Sequence, residues 1–287
     1  MGSAEQKVAI VTGAGSGLGK ALATRLISED WLVACCDISP EAGSAVASSL
    51  GANAAFYHLD VSNYESQAEV FSAVWARWGR LDALLANAGH SDRSSIYILK
   101  HRGKGVSEIP PKPELRSLKA TYEGFLYGVQ LAVHFMRGNK VPGGCVVATS
   151  SIAGVHPHQT FPEYCGAKAA INHFVRTAAP VLKLKDNITL NAILPGIVAT
   201  GAVPQASIDA TKPEHLTPIS TVIDAYMLCL SQKSLSGELV ECSTDKYFLL
   251  PRPEMANGDA TRRACTVWEP LFEIKHGERS GLEGAIP

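Results

Sequence analysis

Short runs of Val, Ile, Leu, Ala and Cys recur along the chain, separated by longer stretches in which apolar positions return every three or four residues. The short runs read as strands buried on both faces, and the longer stretches as helices with one apolar side. Strands are predicted at residues 7–12, 32–37, 54–59, 81–86, 144–150, 188–194 and 239–242. Helices are predicted to begin near Leu18, to begin at Pro40 with Ser39 as N-cap and proline in the first helical position, and to run from Tyr64 to Trp78. Trp75 and Trp78 lie three apart on that last helix and read as packing residues. Strand and helix in strict alternation define an α/β class: a single doubly wound domain with a seven-stranded parallel sheet and helices on both faces. Three proline-bearing stretches break the rhythm, at 90–113, 201–218 and from 251 onward. No internal repeat or linker divides the chain. The predicted organisation is one domain over residues 1–250 with a C-terminal extension over 251–287.

Composition narrows the field. The chain of 287 residues is 46% hydrophobic and 18% charged, enough apolar material for a large core. A net charge of -1 with no basic run offers nothing to a phosphate backbone or an anionic lipid surface, so neither nucleic acid nor membrane is an expected partner. The first six residues lack a basic region followed by an apolar stretch, Gln6 spoils a myristoylation pattern, and a cytoplasmic location is the expectation. Seven cysteines, an odd number without paired metal-ligand spacing, fit free thiols, with Cys35 and Cys36 packed in a strand.

Chemistry enters directly after the first strand, where Thr12-Gly13-Ala14-Gly15-Ser16-Gly17-Leu18-Gly19 opens a helix. Glycines there permit a sharp turn and bring backbone amides near a pyrophosphate, while the helix start favours the anion. Set between strand and helix, the motif predicts a dinucleotide-binding Rossmann fold. Asp37 ends the second strand, where a carboxylate accepts hydrogen bonds from the adenosine ribose and repels a 2'-phosphate. No cation stands at Ser16, Ile38 or Ser39 to offset that repulsion, so the predicted cofactor is NAD. Asp60-Val61 ends the third strand and is read either as an adenine contact or as a helix cap.

Of eight tyrosines only Tyr164 has a lysine four residues on, and this spacing sets Tyr164 and Lys168 on one helical face. Ser150 and Ser151 end the preceding strand at the carboxyl edge of the sheet, where doubly wound folds bind ligands.

With these residues in place, the chain resembles the classical short-chain dehydrogenase/reductase family over residues 7–242. The marks run in order: the Thr12–Gly19 glycine pattern, Asn87-Ala88-Gly89 after the fourth strand, Ser151 thirteen before Tyr164 with Lys168 beyond, then Pro195-Gly196 with Thr200 after the sixth strand. The segment from Pro111 to Leu118 resembles the 15-hydroxyprostaglandin-dehydrogenase-like branch. The resemblance implies hydride transfer between NAD and an alcohol or ketone carbon, with Tyr164 as acid/base group and Ser151 holding the substrate oxygen. It further implies Lys168 on the nicotinamide ribose, Thr200 and Ile197 at the carboxamide, Asn87 to Gly89 as cofactor support, and a homodimer or homotetramer. A lysine beside the phenol, with the positive nicotinamide, favours the phenolate. The family usually carries an asparagine in the central helix where this chain has Thr121, which offers one hydroxyl in place of an amide, so an altered proton relay is expected.

Substrate contacts are expected from Ile152, His156 and Phe161 together with Ser151 and Tyr164, with the 201–218 stretch as a lid. No basic cluster calls for a phosphorylated or carboxylated substrate, which points to a mostly apolar secondary alcohol or ketone. His156 and His158 lack a third ligand, and no metal is expected. The extension, bearing Trp268, Leu271, Phe272 and Ile274, packs on the body, covers the site or meets another subunit. A rival reading, a dinucleotide-responsive binding protein with weak or lost chemistry, draws its support from Thr121.

Overall fold

The computed structural model describes residues 6–287. Its sheet has the order β3-β2-β1-β4-β5-β6-β7-β8. The strands are β1 Val8–Thr12, β2 Leu32–Asp37, β3 Ala54–His58, β4 Ala83–Ala86, β5 Gly144–Thr149, β6 Ile188–Pro195, β7 Leu239–Ser243 and β8 Lys246–Leu249. The first seven are parallel, and their near-continuous apolar runs are buried as a parallel sheet covered on both faces requires. The predicted seven-stranded sheet is thus corrected to eight strands. β8 turns back from β7 and pairs antiparallel through Glu241 with Phe248 and Cys242 with Tyr247. All four β8 residues are exposed.

Helices α1 Gly17–Ser28, α2 Pro40–Leu50 and α8 Ile219–Ser231 cover one face. On the other lie α3 Tyr64–Trp78, α5 Gly124–Arg137 and α6 Pro162–Asp186. Ser39 caps α2 by accepting from the Ala42 amide, and Asn63 caps α3 by accepting from that of Ser66. The long central helix is built in pieces: a short α4 at Arg116–Leu118, a π-helical turn at Lys119–Glu123, then α5. A π turn widens the backbone and is frequent at functional sites. Trp75 packs its ring on Phe135 and Trp78 joins the core, as their spacing predicted. All seven cysteines are free; burial pushes the Cys35 thiol up to about 11 and that of Cys36 well above the ordinary value.

The interrupting stretches are loops with short helical pieces, α7 Gln205–Asp209 lying inside the 201–218 stretch. The extension adds α9 Gly258–Cys265 and α10 Glu269–His276. It packs on the body along the second half of α6. The Arg176 guanidinium donates to the carbonyls of Leu250 and Pro251, and Lys185 pairs with Glu278. The buried Glu269 carboxylate accepts from the amides of Ser280 and Gly281 and from the Ser280 hydroxyl, closing the extension on itself. These contacts lie toward the C-terminal end of α6, away from Tyr164 near its start. Among the described residues no helix is long and apolar enough to cross a membrane.

Candidate active site

Strand order reverses between β1 and β4, and it is beyond the carboxyl ends of the strands at such a point that doubly wound folds bind ligands. The glycine loop follows β1 at this point. Gly13 and Gly17 take φ of +69° and +49°, a region open to glycine at little cost. A Cβ on Gly19 would lie 2.0 Å from the Gly13 carbonyl oxygen, so only glycine lets the helix approach the strand this closely. Helix α1 starts at Gly17 with no side-chain cap from Ser16 and no acidic residue in its first turn. Its leading amides are therefore suited to an anion, and the cradle fits a dinucleotide pyrophosphate. Leu18 packs into the core beneath.

Asp37, at the end of β2, accepts at Oδ2 from the Gly15 amide and at Oδ1 from the Ser39 amide, both at 2.8 Å. Two backbone donors hold its carboxylate against the glycine loop. Ile38 beside it is 64% exposed. Asp60 accepts from the amide and hydroxyl of Ser62, forming a local turn, and the cap of α3 belongs to Asn63. The helix-cap alternative for Asp60 is corrected accordingly. Val61 accepts from Gln67, whose amide group also donates to Gly124, joining this turn to the central helix.

Asn87 ties three strand ends together. Its amide group donates to the Thr12 carbonyl and its carbonyl accepts from the Thr149 hydroxyl, both at 3.0 Å. The Thr12 hydroxyl receives the backbone amides of Asn87 and Ala88, and the Thr149 hydroxyl also meets the phenol of the fully buried Tyr226. A Cβ on Gly89 would come 3.1 Å from the Thr121 hydroxyl. Thr121 is buried within the π-helical turn and donates to the His90 carbonyl at 3.5 Å. After β6, the Gly196 amide donates to the Cys242 carbonyl, extending the pairing past Pro195, and the Thr217 amide donates to the Ile197 carbonyl. That bond draws the end of the 201–218 stretch back to its start. Thr200 stands over the glycine loop, its Cβ 3.3 Å from where a Cβ on Gly17 would be.

Ser151 follows β5 and accepts from the Ala153 amide, which shapes the short turn Ile152–Gly154. Helix α6 presents Tyr164 and Lys168 one turn apart, and the Lys168 ammonium sits 5.5 Å from the centre of the Tyr164 ring. Burial pushes the Tyr164 phenol above its ordinary value, opposed by a hydrogen bond with the Ser151 hydroxyl. Lys168 is enclosed and donates to the Thr149 carbonyl at 2.5 Å; burial pushes its pKa down to about 7. Lys168 is turned to a strand carbonyl and to the ring face, and the serine hydroxyl also eases phenol ionisation.

Phe161 lies edge-on to Tyr164, its ring centre 6.5 Å away, with the His158 ring behind it. His156 is exposed farther out, beyond Ile152. Sequence reasoning missed Thr149 and Tyr226, which locate Lys168, and Asp92, which accepts from the amides of Glu163 and Tyr164. None carries a motif. Only the position of Thr149, just before Ser150-Ser151 at a strand end, hinted at a role.

A glycine cradle at the strand-order switch, with a Ser/Tyr/Lys group on the adjoining strand and helix, defines a doubly wound α/β oxidoreductase. The chain belongs to the short-chain dehydrogenase/reductase family: the family model described as short chain dehydrogenase matches residues 7–210. It is 50% identical over 298 residues to short-chain dehydrogenase/reductase prx6 of Penicillium rubens, with all of both chains covered. It is 31% identical to 15-hydroxyprostaglandin dehydrogenase [NAD(+)] of Homo sapiens, over 68% of this chain and 69% of the human one. Among solved structures it matches the 3-ketoacyl-(acyl-carrier-protein) reductase from Brucella melitensis complexed with NADH. There the TM-score is 0.71 and identity 21%, covering 84% of this chain and 98% of that one, a likeness of fold.

Proposed function

We propose that the protein is an NAD-dependent dehydrogenase that interconverts a mostly apolar secondary alcohol and its ketone. The observation that carries this reading is Tyr164 and Lys168 one turn apart on α6, with the Ser151 hydroxyl close enough to the phenol to ease its ionisation, at the strand ends beside the glycine cradle. Bound NAD would supply the hydride acceptor for the carbinol carbon. Tyr164 takes the hydroxyl proton as the C–O bond gains double-bond character, and Ser151 holds the oxygen while charge develops on it. The residues holding the cofactor would be Gly13 to Gly19, Asp37, Asn87 to Gly89, Lys168, Ile197 and Thr200. Asp37, fixed by two amides without a neighbouring cation, supports NAD over NADP. The human relative's name, which specifies NAD(+), agrees with that preference and with the 15-hydroxyprostaglandin-dehydrogenase-like branch.

An apolar substrate is supported by the flanks of the site. The Tyr97 hydroxyl donates to the Gln159 carbonyl at 2.8 Å, bringing the 90–113 stretch against the loop after Ser151. Ile96, Tyr97, Ile98, Leu99 and Val155 are left substantially exposed there. Ile98, a β-branched residue, is held at φ +44°, the kind of strained backbone that clusters at ligand clamps. A cytoplasmic homodimer or homotetramer completes the proposal.

The test is a panel of secondary alcohols and ketones followed at the NADH absorbance band, with NAD and NADP in parallel. Turnover with NAD, abolished in Tyr164→Phe while NADH affinity stays within about threefold, is the expected result. Equal turnover in Tyr164→Phe refutes the mechanism. Tight NADH binding with no turnover on any panel member establishes the binding-protein reading, and turnover gained by Thr121→Asn then assigns the loss to Thr121.

A further inference from the structure

Helix α6 begins without a cap of its own: Phe161 occupies the N-cap position and contributes no side-chain hydrogen bond. Its first-turn amides are taken by a residue more than seventy positions earlier. The Tyr164 amide donates to Asp92 Oδ1 at 2.7 Å, and the Glu163 amide to Asp92 Oδ2 at 3.1 Å. We propose that Asp92 is a positioning residue of the catalytic centre, gripping the first turn of α6 from outside and so fixing where the Tyr164 phenol stands relative to Ser151. The proposal rests on Tyr164 being the acid/base group.

Three observations support it. Two amides on consecutive residues converge on the two oxygens of one carboxylate, which fixes both the height and the rotation of the helix start. A carboxylate is also the group that a helix N-terminus favours. Tyr164 is the third residue of α6, within the turn that frays when its amides lack partners, whereas Lys168 lies a turn deeper and is held by the Thr149 carbonyl. Loss of Asp92 should therefore displace the phenol and leave the ammonium in place. Finally, the grip has a second anchor nearby, because the same 90–113 stretch is fastened to the substrate-side loop by Tyr97 on Gln159. The Glu163 carboxyl, whose oxygens are closed to solvent, lies beside Asp92, and that neighbour together with burial raises its pKa above the ordinary value.

The test compares full-length wild type, Asp92→Ala and Asp92→Asn. Hydrogen–deuterium exchange is followed over residues 162–170, NADH affinity is measured by fluorescence, and kcat and KM are measured with NAD and 1-phenylethanol. In Asp92→Ala, exchange in the first turn of α6 should rise at least tenfold and kcat should fall about tenfold, with NADH affinity within twofold. Asp92→Asn keeps one acceptor oxygen and should return both quantities to within about threefold of wild type. If the alanine variant does not fold, the asparagine variant carries the test, with a rise in exchange and a fall in kcat of about threefold. Unchanged exchange, faster exchange with unchanged kcat, or a fall in kcat matched by an equal loss of NADH affinity each overturns the proposal. A wild type inactive on 1-phenylethanol is assayed with the panel alcohol it turns over fastest; inactivity across the whole panel defeats the proposed reaction and with it the catalytic meaning of Asp92, while the exchange data still report whether Asp92 caps the helix.

Discussion

Replacing Lys168 with methionine should make the protein more stable and nearly inert. The ammonium is enclosed by protein, and its pKa falls from 10.5 to about 7 because burial disfavours the charged form. Between those two values the unfolded chain binds more protons than the native one, so the native state gains stability as pH rises from about 7 to about 10.5. Below about 7 the full penalty is present. At ~1.4 kcal/mol per pH unit, the displacement sets a ceiling of roughly 5 kcal/mol. Against it stands the bond from Nζ to the Thr149 carbonyl, whose removal costs ~1–3 kcal/mol with the carbonyl left bare. Methionine refills most of the volume, and the net gain near pH 7 is ~2–4 kcal/mol. With an unfolding entropy of ~2.1 cal/mol/K per residue, a chain of this size should melt ~3–7 °C higher. Calorimetric melts of both proteins at pH 6, 7, 8.5 and 10 check this. The difference should be largest at the two lower values and should vanish or reverse by pH 10, while turnover falls at least 100-fold. A variant that melts below wild type at pH 7, or a difference that does not change with pH, would refute the premise that Lys168 is kept at an electrostatic cost.

Ser151→Ala removes the hydrogen bond that opposes the upward shift of the Tyr164 phenol, so the rising alkaline limb of the oxidation rate should move to higher pH, and a pH–rate profile reads the direction. Gly19→Ala would place a Cβ 2.0 Å from the Gly13 carbonyl oxygen; loss of at least ~3 kcal/mol in a urea titration, or failure to fold, is the expected outcome, and a wild-type midpoint would contradict the geometry. Asp37→Ala strands the amides of Gly15 and Ser39 and removes the ribose acceptor, so KM for NAD should rise at least tenfold while that for NADP changes less, as steady-state kinetics with both cofactors would show.

How far the sequence discloses these features follows from the range of the forces involved. Strand β2 was predicted over the residues it occupies because a central parallel strand must be apolar on both faces, and Leu32 to Cys36 are. Tyr164 and Lys168 could be paired because four residues on a helix fix a shared face whatever surrounds it. Strand β8 was missed. Its four residues are all exposed, and the turn before it, at Thr244 and Asp245, has neither the Asn-Gly nor the Asp-Gly signature of a tight hairpin. The partner of the Lys168 ammonium was equally hidden, since Thr149 meets it only through the docking of α6 beside β5. Tyr226 reaches Thr149 from a helix on the opposite side of the sheet. Asp92 belongs to an irregular stretch with no period to follow, and its contacts span 71 and 72 residues.

The joined side chains of Thr12, Asn87, Thr149 and Tyr226 have a practical bearing on protein engineering. They come from three strand ends and a helix, so the gap between neighbouring strands beneath the ammonium is set by a small polar truss and not by backbone pairing alone. A graft of the Ser, Tyr and Lys trio onto another sheet would inherit the reactive groups without the scaffold that spaces them. Such a transplant needs all four truss members carried across together.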